Sequence, residues 1–162
     1  MQARMKSPAI LDTKVFKALI ALGKTSEERG VPAQTLALTH LRASQINGCG
    51  FCVDMHSREL EKMGATDAQI YTVAAWRESP FFTAAERAAL ALTEAVTRIA
   101  DREDPVSDAV WAEVARHYDE AQLAALLVSI ATINVWNRLN VATRQLALGA
   151  LPDAAAIEAL TR

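Results

Sequence analysis

Hydrophobic residues recur at intervals of three and four positions along almost the whole chain, which is the spacing of amphipathic α-helices. No window alternates apolar and polar residues as a half-buried β-strand would. The pattern therefore predicts an all-α fold of about seven to nine helices. The candidate start residues, each able to cap or open a helix, are Asp12, Pro32, Thr66, Thr83, Ser107 and Asp119.

Glycine, proline and the loss of apolar spacing predict where the helices end. The second helix should stop at Gly48, where glycine tolerates a left-handed conformation. The helix that opens at Thr66 should end before Pro80. The helix that opens at Thr83 should reach about Ile99.

The C-terminal part of the chain carries the most apolar run of the sequence. The helix after Asp119 should reach the neighbourhood of Asn140, and the stretch VATRQLALGA should continue it to Gly149. A last helix is expected after Pro152, in the tail of residues 150–162. The asparagines of this run should be satisfied inside the core or at an interface rather than act in catalysis.

Composition and charge narrow the range of functions. Hydrophobic residues make up 51% of the 162 residues and charged residues 22%, and the net charge is −2. These values are typical of a globular protein and give no basic surface for nucleic acid. The longest apolar run has 13 residues, fewer than the roughly 18–20 needed to cross a membrane, and the N-terminus has no apolar signal region. We therefore expect a cytoplasmic protein that binds neither nucleic acid nor membrane.

Both cysteines of the chain lie in the stretch INGCGFCVDMH. Gly48 predicts that Cys49 lies at or just before the start of a helix that runs to Met63. The N–H groups of the first helical turn stabilise a thiolate. Residues three and four positions apart share a helix face, so Cys49, Cys52 and His56 should lie in one line, with a proton able to pass between Cys52 and His56.

Three roles are compatible with these residues: structural core residues, zinc ligands and a thiol redox pair. The cysteines could be small core residues, or Cys49, Cys52 and His56 could bind zinc with His40 as a fourth ligand. Zinc sites usually take a second ligand pair from elsewhere, and the sequence has no second CxxC or HxxxH. The residues favour thiol redox chemistry but do not identify the molecule that oxidises the thiols. No flavin, haem or nicotinamide motif is present, so no organic cofactor is expected.

The longer stretch LTHLRASQINGCGFCVDMHSREL resembles the core signature of the AhpD-like alkylhydroperoxidases of the carboxymuconolactone decarboxylase family. Their pattern is a glutamate, eleven residues and then CxxCxxxH, and LRASQINGCGFCVDMH is a dense match. The helical order and the segment ERAALALTEAVT fit the same group. The resemblance implies a single AhpD-like helical domain over residues 1–162, with its core at about 10–148 and a C-terminal helical tail at 150–162.

The resemblance implies a thiol-dependent peroxidase that reduces organic hydroperoxides and forms homo-oligomers, commonly trimers or hexamers. In such a protein Cys52 attacks the hydroperoxide, Cys49 resolves the sulfenic acid to a disulfide and His56 belongs to a proton relay. An external dithiol or a thiol protein then reduces the disulfide. Two alternatives use the same residues. One is a disulfide reductase without peroxide chemistry, and the other is a zinc-binding or redox-sensing interaction protein.

The chain departs from the family pattern at the relay glutamate. Twelve positions before Cys49 stands Ala37, which cannot accept or pass a proton. Two residues could replace the carboxylate. His40 lies one turn later on the same predicted helix, and Glu86 could reach His56 from another helix. We favour Glu86 because it lies in the family-like segment ERAAL, although its position after Thr83 is also that of a capping glutamate.

Overall fold

The computed structural model describes residues 1–149, and there the chain folds into α-helices and short 3₁₀ turns without a β-strand. The all-α prediction is therefore confirmed. The last helix expected after Pro152 lies outside the described residues. The helices are α1 (Pro8–Leu11), α2 (Thr13–Glu27), α3 (Ala33–Asn47), α4 (Gly50–Lys62), α5 (Asp67–Thr72), α6 (Ala84–Thr97), α7 (Asp108–Ala115) and α8 (Glu120–Thr143), with 3₁₀ turns at Val73–Glu78 and Ile99–Asp101.

The predicted N-terminal caps are confirmed. The carboxylate or hydroxyl of each predicted cap residue except Pro32 accepts a backbone N–H from the first turn of its helix. Three of these caps are reciprocal, because the third helical residue also bonds back to the cap. These three capping boxes are Thr66 with Gln69, Thr83 with Glu86, and Asp119 with Gln122.

The prediction of one helix between Thr66 and Pro80 is wrong, because the structure divides this segment into two elements. Helix α5 ends at Thr72, and the chain continues as a 3₁₀ turn with a non-helical conformation at Ala75. The Arg87 guanidinium donates to the backbone carbonyls of residues 76, 77 and 79 at 2.8, 2.8 and 3.0 Å. Hydrogen bonds from the following helix, α6, therefore fix a backbone conformation that helix propensity alone does not specify.

The predicted continuation of the last helix to Gly149 is also wrong. Helix α8 ends at Thr143, and Arg144 adopts a left-handed conformation with φ of 55°. The N–H groups of Leu148 and Gly149 then donate to the Asp54 carboxylate of α4. Burial opposes ionisation of Asp54, but these hydrogen bonds and Arg58 outweigh it and lower its pKa. The Asp54 carboxylate thus accepts hydrogen bonds from two N–H groups that would have bonded within α8 if the helix had been longer.

Helix α3 lies at the centre of the fold and packs against α4, α6 and α8. Its side chains are buried on most sides, and Leu38 and Leu41 are completely buried. Two apolar clusters meet around it, one with α6, α7 and α8 and the other with α4 and the 3₁₀ turn after α5. The end of α3 is therefore held firmly at the point where the cysteine stretch begins.

Polar side chains join the end of α3 to α8. The amide nitrogen of Asn47 donates to the side-chain oxygens of Asn134 and Asn137, both at 2.9 Å. Asn137 in turn donates to the hydroxyl of Ser44 at 3.0 Å. The expectation that these asparagines are satisfied within the core is confirmed, and their hydrogen bonds fix the register of α3 against α8.

A second polar cluster is centred on the buried Glu94 of α6. Its carboxylate accepts hydrogen bonds from Arg42 of α3, and from Trp76 and Arg77 of the 3₁₀ turn. Burial acts to raise the pKa of Glu94, but these donors outweigh it and lower the pKa. The cluster ties three elements together on the side of α3 that carries Arg42.

The apolar face of α2 is only partly covered. Phe16 is buried and meets Trp136 of α8 edge to face, with ring centroids 5.9 Å apart. Val15 and Leu22, which the sequence spaces along the same helix, are 40% and 42% exposed. Leu11 of α1 is exposed beside them in the sequence and adds to an apolar stripe, which we call the α2 stripe (Leu11, Val15 and Leu22).

Candidate functional site

The redox site begins at the turn between α3 and α4. Gly48 adopts φ of 68° and ψ of 29°, a left-handed conformation that glycine takes without the steric cost of a Cβ. The N–H of Cys49 then bonds back to the carbonyl of Ser44 at 3.0 Å. This turn makes Cys49 the N-cap of α4, as the sequence predicts.

The two cysteines are joined by a disulfide across the first turn of α4. Their Cα atoms are 5.3 Å apart, and the residues are only 2% and 1% exposed. The N–H of Cys52 donates to the sulfur of Cys49 at 3.3 Å. The amide nitrogen of Asn140, from the last turn of α8, donates to the sulfur of Cys52 at 3.5 Å. Each sulfur therefore has one N–H donor in a buried environment.

His56 lies one helical turn beyond Cys52 and is 5% exposed. Its Nδ1 atom is 2.6 Å from a carboxylate oxygen of Glu59, on the same helix. Because an ionised carboxylate can only accept, Nδ1 carries the proton in this contact. The other ring nitrogen, Nε2, is buried and has no hydrogen-bond partner within residues 1–149. In the neutral ring this nitrogen has a free lone pair and can accept a proton.

His40 of α3 lies against His56. The two imidazole centroids are 4.9 Å apart and the rings are tilted by 55°. The Nε2 atom of His40 is 2.7 Å from the hydroxyl of Ser129 on α8. Burial, followed by the proximity of His56, lowers the pKa of His40 to about 3. His40 is therefore neutral across the physiological pH range.

The structure does not bring Glu86 to His56, although the sequence made it the favoured replacement for the relay glutamate. The Glu86 carboxylate accepts from the N–H and hydroxyl of Thr83, at 2.8 and 2.9 Å. The capping interpretation of this glutamate is the one that the geometry supports. Ala37 is buried and supplies no polar group. The carboxylate that bonds His56 is Glu59, which sequence reasoning missed.

Three residues of the site were not predicted, and the sequence contains a signal for only one of them. Glu59 follows His56 by three positions, a spacing at which helical side chains meet. Ser129 and Asn140 lie 89 and 88 positions from the groups they contact. Their proximity depends on the packing of α8 against α3 and α4, and no local pattern indicates it.

Two further features bear on the sequence-based alternatives. Within residues 1–149, no three histidine, cysteine, aspartate or glutamate side chains are grouped as metal ligands would be. Over the same residues, no helix combines the length and the apolar character that a membrane crossing requires.

The low pKa of His40 makes the free energy of unfolding depend on pH. The unfolded chain takes up a proton at His40 near its ordinary pKa of 6.5, whereas the folded protein does so only near 3. The free energy of unfolding is therefore highest above pH 6.5, where His40 is neutral in both states. It decreases as the pH falls towards 3, because over this interval only the unfolded chain takes up the proton. We expect the wild-type protein to lose up to about 1.4 kcal/mol more per pH unit than His40→Gln over this interval.

Urea unfolding at fixed protein concentration between pH 7 and pH 4.5 measures this difference. Asp54 and Glu94 also have lowered pKa values, but they are present in both proteins and their contributions cancel in the comparison. Equal pH dependence of the two proteins would contradict the neutral assignment of His40.

Comparison with known proteins identifies the family. The carboxymuconolactone decarboxylase family model matches residues 13–95, which include α2 to α5 and most of α6. The chain is 39% identical over 127 residues to the uncharacterized protein YdfG of Bacillus subtilis, covering 78% of this chain and 85% of YdfG. It is 46% identical over 41 residues to the alkyl hydroperoxide reductase AhpD of Maricaulis maris, about a quarter of either chain.

The structural comparison agrees with the sequence matches. A crystal structure of a protein of unknown function from Agrobacterium tumefaciens, suggested to be the antioxidant-defence protein AhpD, superimposes with a TM-score of 0.84. The two chains are 36% identical, and the match covers 91% of this chain and 99% of the other. This chain thus belongs to the carboxymuconolactone decarboxylase family, and its fold is that of the AhpD-like proteins.

Proposed function

We propose that the protein is a thiol-dependent peroxidase that reduces organic hydroperoxides through Cys49 and Cys52. The observation that carries the proposal is the joining of these cysteines at the start of α4, one turn from a buried histidine with a free ring nitrogen. The thiolate is the reactive form of cysteine, and His56 can take the thiol proton. The match to an alkyl hydroperoxide reductase over 41 residues supports the same activity.

In the first step the Cys52 thiolate attacks one oxygen of the hydroperoxide and breaks the O–O bond. Cysteine is oxidised to a sulfenic acid, and the other oxygen leaves as an alkoxide that takes a proton to become the alcohol. His56 receives the Cys52 proton and can return it to the leaving oxygen. The low exposure of both cysteines favours a small oxidant over a folded disulfide protein.

In the second step the sulfur of Cys49 attacks the sulfenic acid, which forms the disulfide and releases water. The Cα separation of 5.3 Å is within the range of ordinary disulfides, so the helix start can hold the oxidised pair. An external dithiol then reduces the disulfide by thiol–disulfide exchange and is itself oxidised. The use of an external dithiol or thiol protein as reductant, and a cytoplasmic location, stay predictions of the sequence.

In this proposal Glu59 replaces the relay glutamate that the family pattern places at position 37. Its carboxylate accepts a hydrogen bond from the Nδ1–H of His56, which leaves Nε2 as the proton acceptor. The same carboxylate stabilises the imidazolium once it forms. His40 packs against the same ring, where Ser129 holds it. Because His40 is neutral, it adds no second positive charge beside His56 when His56 is protonated.

The chemistry of the two cysteines can be tested by counting thiols. We expect about one equivalent of cumene hydroperoxide to remove both thiols of the reduced, metal-free protein, with an intact mass two hydrogens lower. Cys52→Ser should consume no peroxide. Cys49→Ser should still react once and stop at a Cys52 sulfenic acid, which dimedone traps as a mass adduct.

The variants also separate the alternatives. Peroxide consumption by Cys52→Ser but not by Cys49→Ser would reverse the roles of the two cysteines. If both wild-type thiols persist in the presence of peroxide but react with a model disulfide, the protein is a disulfide reductase. Stoichiometric zinc that survives dialysis of the reduced protein would favour the zinc-binding alternative.

The role of Glu59 predicts a kinetic defect without a large loss of stability. Glu59→Gln removes the charge that orients His56, and we expect the rate constant for oxidation of Cys52 by peroxide to fall about tenfold. Glu61→Gln is the matched control, because Glu61 lies on the same helix and is exposed. Stopped-flow measurement of peroxide consumption gives the rate constants, and equal rates for the two variants would remove Glu59 from the mechanism.

A homo-oligomer, either a trimer or a hexamer, is the second part of the proposal. The α2 stripe supports it, because Val15 and Leu22 lie on one face of α2 with large exposed fractions, and exposed apolar residues on one helix face can form a protein interface. We expect sedimentation analysis to give three or six times the chain mass of 17.6 kDa. Val15→Glu introduces a charge into the stripe and should lower that mass to the monomer value.

Tyr71→Glu is the control for this experiment, because Tyr71 is highly exposed on α5 and lies outside the α2 stripe. The control should keep the wild-type mass. A monomeric wild-type protein would contradict the proposed oligomer, and an unchanged mass in Val15→Glu would exclude the α2 stripe as its interface.

A further inference from the structure

We infer that Asn140 belongs to the redox site and stabilises the Cys52 thiolate through its side-chain amide. The inference rests on the proposed redox function and extends it to a residue outside the CxxC stretch. Asn140 lies in the last turn of α8, and its Nδ2 atom is 3.5 Å from the Cys52 sulfur. Both residues are buried, Asn140 at 5% exposure and Cys52 at 1%.

A buried thiolate needs hydrogen-bond donors because little water reaches it. An uncompensated charge inside a protein is costly, and a cysteine in apolar surroundings keeps its proton. Cys49 has a donor in the backbone, the N–H of Cys52. Cys52 is the third residue of α4, and the donor that reaches its sulfur is a side chain from another helix. The two sulfurs are therefore stabilised by separate means.

The other asparagines on the same face of α8 have a different role. Asn134 and Asn137 accept from Asn47, and their own amides donate to Thr97 and Ser44. These contacts connect helices and do not involve a reactive atom. Asn140 follows Asn137 by three positions and donates to a sulfur that changes its oxidation state. Of the three asparagines on this face, Asn140 is the one whose loss would change the reactivity of a cysteine as well as the packing of the helices.

Asn140 can act at two points of the proposed cycle. In the reduced protein its amide favours ionisation of Cys52, which supplies the nucleophile for the O–O bond. When an external thiolate attacks the Cys49 sulfur of the disulfide, a new S–S bond forms and the Cys49–Cys52 bond breaks. Cys52 then leaves with the electron pair, and a donor to its sulfur stabilises it as the leaving group.

The groups around Cys52 that titrate are Cys49 and His56 on α4 and His40 on α3, with Glu59 bound to His56. Asn140 differs from all of them because a carboxamide keeps its donor at every pH used for enzyme assays. Its effect is a constant lowering of the Cys52 pKa. Removing it should raise that pKa without altering the titrating groups themselves.

The test measures the Cys52 pKa in the Cys49→Ser background, where serine keeps a good helix cap and Cys52 is the only thiol. The pH dependence of alkylation by iodoacetamide gives the pKa of the reduced protein. Asn140→Leu keeps most of the side-chain volume and removes the donor. We expect it to raise the pKa by about one unit, which is roughly tenfold slower alkylation below the pKa of either protein.

Asn137→Leu in the same background is the matched control. It removes contacts to Ser44 and Asn47 and should lower thermal stability, while the Cys52 pKa changes little. An unchanged pKa in folded Asn140→Leu would overturn the inference, and so would an equal pKa increase in both variants. If Asn140→Leu fails to fold, Asn140→Ala removes the amide donor without adding bulk or charge, and an unchanged pKa there would overturn the inference.

The measurement is independent of the proposed substrate because no peroxide is used. A raised pKa in Asn140→Leu, together with a wild-type protein that ignores cumene hydroperoxide, would support the role of Asn140 and overturn the peroxidase proposal. An unchanged pKa in Asn140→Leu, together with a wild-type protein that reacts with cumene hydroperoxide, would support the peroxidase proposal and exclude Asn140 from its mechanism.

Discussion

The hydrogen bonds between the end of α3 and the buried face of α8 fix the register of these two helices, and the redox stretch begins directly after α3. Asn47 reaches Asn134 and Asn137, and Asn137 reaches Ser44, so the last turn of α3 cannot slide along α8 without breaking several buried contacts. The Cys49 N–H bonds to the carbonyl of the same Ser44. The backbone of the first cysteine is therefore joined directly to the network that sets the register of the two helices.

The same packing provides the surroundings of the reactive atoms. Helix α8 brings Ser129 to His40 and Asn140 to Cys52, whereas α4 itself supplies His56 and Glu59. The groups from α8 are neutral at these contacts, and the charged carboxylate is the one that lies nearest to solvent. Charge that forms during the proposed reaction is thus met by fixed donors and by one carboxylate on the same helix as the nucleophile.

The sequence predicted local features well and long-range contacts poorly, for physical reasons that particular residues illustrate. Cys49 as the N-cap of α4 follows from Gly48 and the helix-start signal, which are local. The end of α8 could not be predicted, because it depends on Asp54 binding the backbone of Leu148 and Gly149. Ser129 and Asn140 belong to the site only because two distant helices pack together.

The position of Glu59 differs from the one that the family pattern gives to the relay carboxylate. The pattern places that carboxylate on α3, where this chain has Ala37, whereas Glu59 lies one turn beyond His56 on α4 itself. An orienting group on the same helix depends on α4 geometry alone, so small shifts between α3 and α4 leave the His56–Glu59 contact unchanged. In the proposed mechanism position 37 needs no carboxylate, and Ala37 belongs to the buried apolar cluster that α3 shares with α4.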